Sequence, residues 1–118
     1  MGSMNDRIHE VADLTERLKA QYPSEINAFL AFMGKTEGNP ALSLAQKELI
    51  NVALAVAAQC EWCIALHVKG AVKAGASRDE IMSAGFQAVL MHGGPALMYL
   101  VALTRALDEF APTAGTGV

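Results

Sequence analysis

The chain is short of charge. Only 18% of its 118 residues are Asp, Glu, Lys or Arg, where a soluble domain normally carries about a quarter. With 9 basic against 12 acidic residues, it lacks the cationic surplus of a nucleic-acid-binding protein, and no Lys/Arg cluster offsets that balance. Two cysteines are too few for a disulfide-stapled scaffold, so they need a chemical or a packing explanation. A long hydrophobic run is missing too. Residues 49–58 are apolar but too short and hold Asn51, and residues 84–103 are cut by His92-Gly93-Gly94-Pro95. A spanning helix needs ~20 mostly apolar residues without such a break. No secretory apolar segment follows the start, where Asp6, Arg7, His9 and Glu10 come at once. These absences lead to the expectation of a soluble, cytoplasmic protein with neither a nucleic-acid nor a membrane partner.

What is present is apolar: 53% of the residues are hydrophobic, which excludes disorder. A domain this small cannot hide so much in its own core, so a homo-oligomer is expected. The length fits one domain. Met1-Gly2-Ser3, ahead of Met4, reads as a cloning remnant and residues 113–118 as a flexible tail, which leaves 4–112 as the domain.

Ile8, Val11, Leu14 and Leu18 recur at helical spacing between Asp6 and Gln21, and Pro23 ends that helix. Ser24 is placed to cap a second helix over 25–36, followed by a Glu37-Gly38-Asn39-Pro40 turn. Ser43 with Gln46, and Ser77 with Glu80, are capping-box patterns that open helices over 44–58 and 78–91. The interior of the first, Ile50, Val52, Ala53, Leu54 and Val56, is apolar nearly all round, which marks a central helix. A helix from Cys60 to Ala74 lies between these two, with Gly75 just past its end. Pro95 suits the first turn of a last helix that ends near Phe110. No stretch alternates with period two. The fold class is all-α, a compact bundle of about six helices.

Chemistry concentrates in Gln59-Cys60-Glu61-Trp62-Cys63-Ile64-Ala65-Leu66-His67. At about 100° per residue, Cys60, Cys63 and His67 share one helical face. The two thiols are then within reach of a disulfide after modest adjustment, and an imidazole lies one turn behind the second. The pair falls at the helix start, where free N–H groups and the dipole favour the nucleophilic thiolate. His67 is suited to take the thiol proton. Glu48 sits in the preceding helix inside an apolar run. If the chain reverses near Ala58-Gln59, Glu48 comes back alongside His67 and orients its ring.

Glu48, then eleven residues, then Cys60-x-x-Cys63-x-x-x-His67 resembles the signature of the alkylhydroperoxidase AhpD branch of the carboxymuconolactone decarboxylase family. Gln46-Lys47-Glu48-Leu49-Ile50 with Ala53, Lys73-Ala74-Gly75-Ala76-Ser77, and Gly93-Gly94-Pro95-Ala96 extend the resemblance over residues 42–107. The resemblance implies an all-helical subunit in a homotrimer or hexamer, and thiol-dependent peroxide reduction or disulfide exchange without a cofactor. It makes Cys63 the peroxide-attacking thiol, Cys60 the resolving thiol, and Glu48 with His67 the proton relay. It also implies a hydroperoxide or disulfide substrate and a lipoylated or thioredoxin-like dithiol reductant. There is one departure: the best-known members carry a histidine before the second cysteine, and this chain has Trp62. That touches peroxide attack and leaves dithiol exchange intact.

Rival readings exist for the same residues. Free cysteines are often buried and inert. Two thiolates, an imidazole and a carboxylate also suit zinc, although structural zinc ligands usually come from separate loops. The lactone decarboxylase branch does not rely on a cysteine pair, and a non-enzymatic redox-sensing oligomer would need only one oxidation cycle. His9 reads as solvated, His92 as a helix-end histidine near the last carbonyls, and Trp62 as surface or interface packing. The first forty residues carry no resemblance and are expected to pack between subunits.

Overall fold

In a computed structural model of the protein, residues 2–112 are described, and the expected tail of 113–118 lies outside them. Six helices follow one another: α1 (Met4–Gln21), α2 (Pro23–Gly38), α3 (Leu44–Ala57), α4 (Glu61–Lys73), α5 (Arg78–His92) and α6 (Gly94–Phe110). No strand occurs among the described residues. No helix there is long and apolar enough to cross a membrane.

The core is the meeting of α3, α4, α5 and α6. Val52 and Val56 of α3, Ile64 and Val68 of α4, Ile81 of α5, and Leu103 and Leu107 of α6 are fully buried. Each such side chain contributes roughly 1.5–3 kcal/mol relative to exposure. Ser43 with Gln46 and Ser77 with Glu80 form reciprocal capping boxes at the starts of α3 and α5, as the patterns predict. Gly75 follows the C-cap of α4 at φ 95, and Pro95 lies in the first turn of α6.

Two expectations need correction, and one residue set aside above takes part in the fold. Ser24 does not cap α2: the helix starts two residues earlier than expected, at Pro23, with Tyr22 at the N-cap and no side-chain cap bond. Proline is pre-set for that first position because its missing N–H would have had no helical partner. Ser3, set aside as a remnant, caps α1, its Oγ accepting from Asp6 N at 3.0 Å while the Asp6 carboxylate accepts from Ser3 N at 2.9 Å. Helix α3 is not enclosed on all sides, since Ile50 and Leu54 are exposed. It packs mainly on α4 and α5 and more lightly on α6 and α2. The uncovered side borders an open cleft of about 460 Å³ against Ser83, Ala84 and Gln87 of α5.

The two N-terminal helices differ. Met4 of α1 is fully buried, and the Met4 and Asn5 N–H groups donate to the Glu109 carboxylate of α6 at 2.8 and 3.0 Å. A carboxylate there also meets the positive end of the α1 dipole. Thus α1 packs on α4 and α6 of its own subunit. Helix α2 leans on α1 and α3 and buries no residue.

Candidate active site

The site forms where α3 turns back into α4. Ala58 closes α3, and Gln59 takes the left-handed conformation at φ 57. Cys60 follows in extended backbone, at φ −112 and ψ 102, as the N-cap of α4. The expectation that Cys60 lies on the helical face is therefore corrected by one position. Its sulfur turns toward the helix instead, accepting from the backbone N–H of Cys63 at 3.1 Å, because the first turn has N–H groups without helical partners. Cys60 and Cys63 are joined in a disulfide with their Cα atoms 5.2 Å apart.

One turn beyond Cys63, His67 meets Glu48. His67 Nδ1 donates to Glu48 Oε1 at 2.9 Å, between side chains that are 30% and 12% exposed. An ionised carboxylate only accepts, so the proton of this bond belongs to Nδ1, and the bond leaves Nε2 unengaged. Burial pushes the Glu48 carboxyl up, but the hydrogen bonds from His67 and Asn51 and the His67 charge together outweigh it. The result lies below the ordinary value. Among the described residues no hydrogen bond links His67 to either sulfur, and the two pairs are related by their i, i+4 placement on α4. No three His, Cys, Asp or Glu side chains are gathered there closely enough to hold a metal ion.

Three contributors escaped the sequence reading. Asn51 Nδ2 donates to Glu48 Oε1 at 2.8 Å and to Glu37 Oε1 of α2 at 3.2 Å. Its signal was present, as the one polar side chain in the apolar run 49–58. Gly70 lies three residues after His67, and any Cβ at this position would overlap the Glu48 carboxylate. The glycine opens the space between α3 and α4 in which that carboxylate sits. The third is a clamp on Trp62, whose indole N–H donates to Glu10 Oε1 at 2.8 Å while the Arg7 guanidinium lies 5.8 Å from the ring centre. Arg7 also pairs with Glu10 at 3.0 Å. Trp62 therefore packs on α1 of its own chain, with one edge open to a cleft of about 430 Å³ lined by Glu10, Val11 and Leu14. His9 is exposed, and His92 is exposed in the last turn of α5 with no side-chain hydrogen bond among the described residues.

The model of the carboxymuconolactone decarboxylase family matches residues 23–106. An uncharacterized protein encoded in the cox locus of Paracoccus denitrificans is 41% identical over 83 residues, which cover 70% of this chain and 75% of that one. An uncharacterized protein of Cupriavidus necator is 31% identical over 107 residues, covering 91% and 92% of the two chains. The crystal structure of a carboxymuconolactone decarboxylase family protein from Legionella pneumophila superposes with a TM-score of 0.87 at 32% identity, covering 92% of this chain and 96% of that one. The similarity thus takes in α2 and, in two of these relatives, most of the first forty residues, which the sequence alone left without kin. With a family model spanning α2 to α6 and relatives of matching length, the chain belongs to the carboxymuconolactone decarboxylase family.

Proposed function

We propose that this protein is a thiol-dependent peroxidase or disulfide reductase of the AhpD-like branch, working through Cys63, Cys60, His67 and Glu48. One observation carries the reading: a disulfide at the start of α4 lies one turn from an imidazole whose Nδ1 is held by a largely covered carboxylate. The start of α4 favours thiolate at Cys63 through its free N–H groups and dipole. His67 takes the thiol proton.

In the peroxidase cycle the Cys63 thiolate attacks a hydroperoxide, the O–O bond breaks, and Cys63 becomes a sulfenic acid. The departing alkoxide takes a proton and leaves as an alcohol. The Cys60 thiol then displaces water from the sulfenic acid and closes the Cys60–Cys63 disulfide. A dithiol partner attacks that disulfide, passes through a mixed disulfide, and leaves oxidised while both thiols of this protein are restored. In the reductase reading a disulfide substrate replaces the peroxide as first electrophile. The clamped Trp62, standing where the best-known relatives have histidine, leaves peroxide attack without a second imidazole and so favours a disulfide as substrate.

The same reading includes self-association as a homotrimer or hexamer. Phe32, Leu54, Leu90, Met91, Met98 and Val101 are all more than half exposed in one copy. A domain this small that leaves so many large apolar side chains open is suited to bury them against another copy. A second copy of the chain covers it, and light scattering reads the mass directly.

The deciding experiment supplies a hydroperoxide or a small organic disulfide together with a regenerating dithiol. Many turnovers per subunit are expected, with Cys63→Ser inactive and Glu48→Gln slowed about 100-fold. A single oxidation per subunit would show a sensor instead.

A further inference from the structure

We propose that Asn51 is a positioning residue for the His67–Glu48 pair, and that Glu37 of α2 holds Asn51 to that task. The proposal rests on the reading of His67 as acceptor of the Cys63 proton. Asn51 lies one turn after Glu48 on α3, so its amide reaches back along the same helical face. That amide has two hydrogens, and each has a carboxylate: Glu48 Oε1 at 2.8 Å and Glu37 Oε1 at 3.2 Å. Glu48 Oε1 therefore accepts twice, from Asn51 and from His67 Nδ1.

The second donor matters for two physical reasons. The terminal torsion of a glutamate is broad, so a single hydrogen bond from the ring it should orient leaves both groups free to turn together. A second donor, from the carboxylate's own helix, fixes the plane of the carboxylate, and the carboxylate then fixes the ring. Glu48 is also only 12% exposed, and a buried ionised group needs donors for its lone pairs. An amide neither gives nor takes a proton near neutral pH, so Asn51 acts by holding and not by relaying.

Glu37 explains why the amide stays in place. Its side chain takes the other Asn51 hydrogen, while its backbone carbonyl accepts from Lys47 Nζ at 2.6 Å. The same ammonium reaches the Asn39 carbonyl. Lys47 and Asn51 are i, i+4 neighbours, so one face of α3 grips the end of α2 by backbone and by side chain. Because α2 buries no residue, these polar ties carry much of its attachment beside the site. The chain of contacts runs Glu37–Asn51–Glu48–His67, across three helices.

The test follows alkylation of Cys63 against pH in the reduced full-length protein, together with turnover and thermal unfolding. Asn51→Leu is expected to move the midpoint of the Cys63 profile upward by about one pH unit and to lower turnover near neutrality about tenfold. Glu37→Gln keeps the acceptor oxygen and leaves both unchanged, whereas Glu37→Ala gives a smaller shift in the same direction. If Asn51→Leu lowers only the unfolding midpoint and leaves the profile in place, Asn51 is merely structural and the proposal is overturned. Should that variant not fold, Glu37→Ala carries the test, and an unmoved profile overturns the proposal. Glu48→Gln separates the two levels: if it too leaves the profile unmoved, the reading of the His67–Glu48 pair fails. If it alone moves the profile, only the role of Asn51 does.

Discussion

The sulfur end and the imidazole end of α4 lie one turn apart, and they are held by different forces. Trp62, between the two cysteines, is fastened to α1, and α1 is seated in the core through the fully buried Met4 and the Glu109 carboxylate. His67 is held by Glu48 and, behind it, by Asn51 and Glu37, the last on a helix that buries nothing. Packing is strong and non-directional, so it fixes where a backbone runs. Hydrogen bonds are individually modest but angular, so they fix how a ring is turned. A disulfide needs two Cα atoms at the right separation, and a proton acceptor needs one nitrogen aimed correctly. Each end has the kind of support that its geometry requires.

That contrast breaks most easily at the sulfur end's foundation. Met4→Ala removes a fully buried side chain and is expected to cost about 2–5 kcal/mol, read as a lowered urea midpoint. If the loss is below about 0.5 kcal/mol, α1 is not seated by packing. Gly70→Ala strikes the imidazole end. Its new methyl overlaps the Glu48 carboxylate, so about 1–3 kcal/mol of stability should be lost and the Glu48–His67 hydrogen bond displaced in a crystal structure. Trp62→Phe keeps the ring but deletes the bond to Glu10, an expected loss of about 0.5–1.5 kcal/mol with turnover little changed.

The smallest effect is on acid stability. Glu48 is held below its ordinary value in the folded protein, so its contribution is fully present above the unfolded value of about 4.3 and fades as pH falls through the lower folded value. Glu48→Gln lacks that contribution. The stability gap between wild type and variant should therefore be widest near neutrality and close on acidification. Urea midpoints measured from pH 7 down to pH 3 check the sign.

Much of the fold was legible in the sequence because helix starts and stops are local. Ser43 with Gln46 and Ser77 with Glu80 satisfy N–H groups three residues away, and no distant residue has to agree. The errors were also local, and small. Ser24 lost the cap position to Tyr22, with Pro23 opening the helix, and Cys60 left the helix to become its cap. The approach of Glu48 to His67 was foreseeable from two helices of known length folding back at a turn. Asn51, Gly70 and Glu37 were not. Their importance lies in how the side chains of α3 interleave with those of α2 and α4, and spacing along one helix says nothing of the rotation of its neighbour.

The sequence by itself determined the six helices, the placing of two sulfurs at the start of one of them, and an imidazole one turn on, since each depends only on contacts within a few residues. Tertiary structure alone decided that α1 clamps the tryptophan between the cysteines, that a missing Cβ at Gly70 makes room for the carboxylate, and that an asparagine ties that carboxylate to α2. Those contacts join residues far apart in the chain, and only the packing of whole helices against one another brings them within hydrogen-bonding distance.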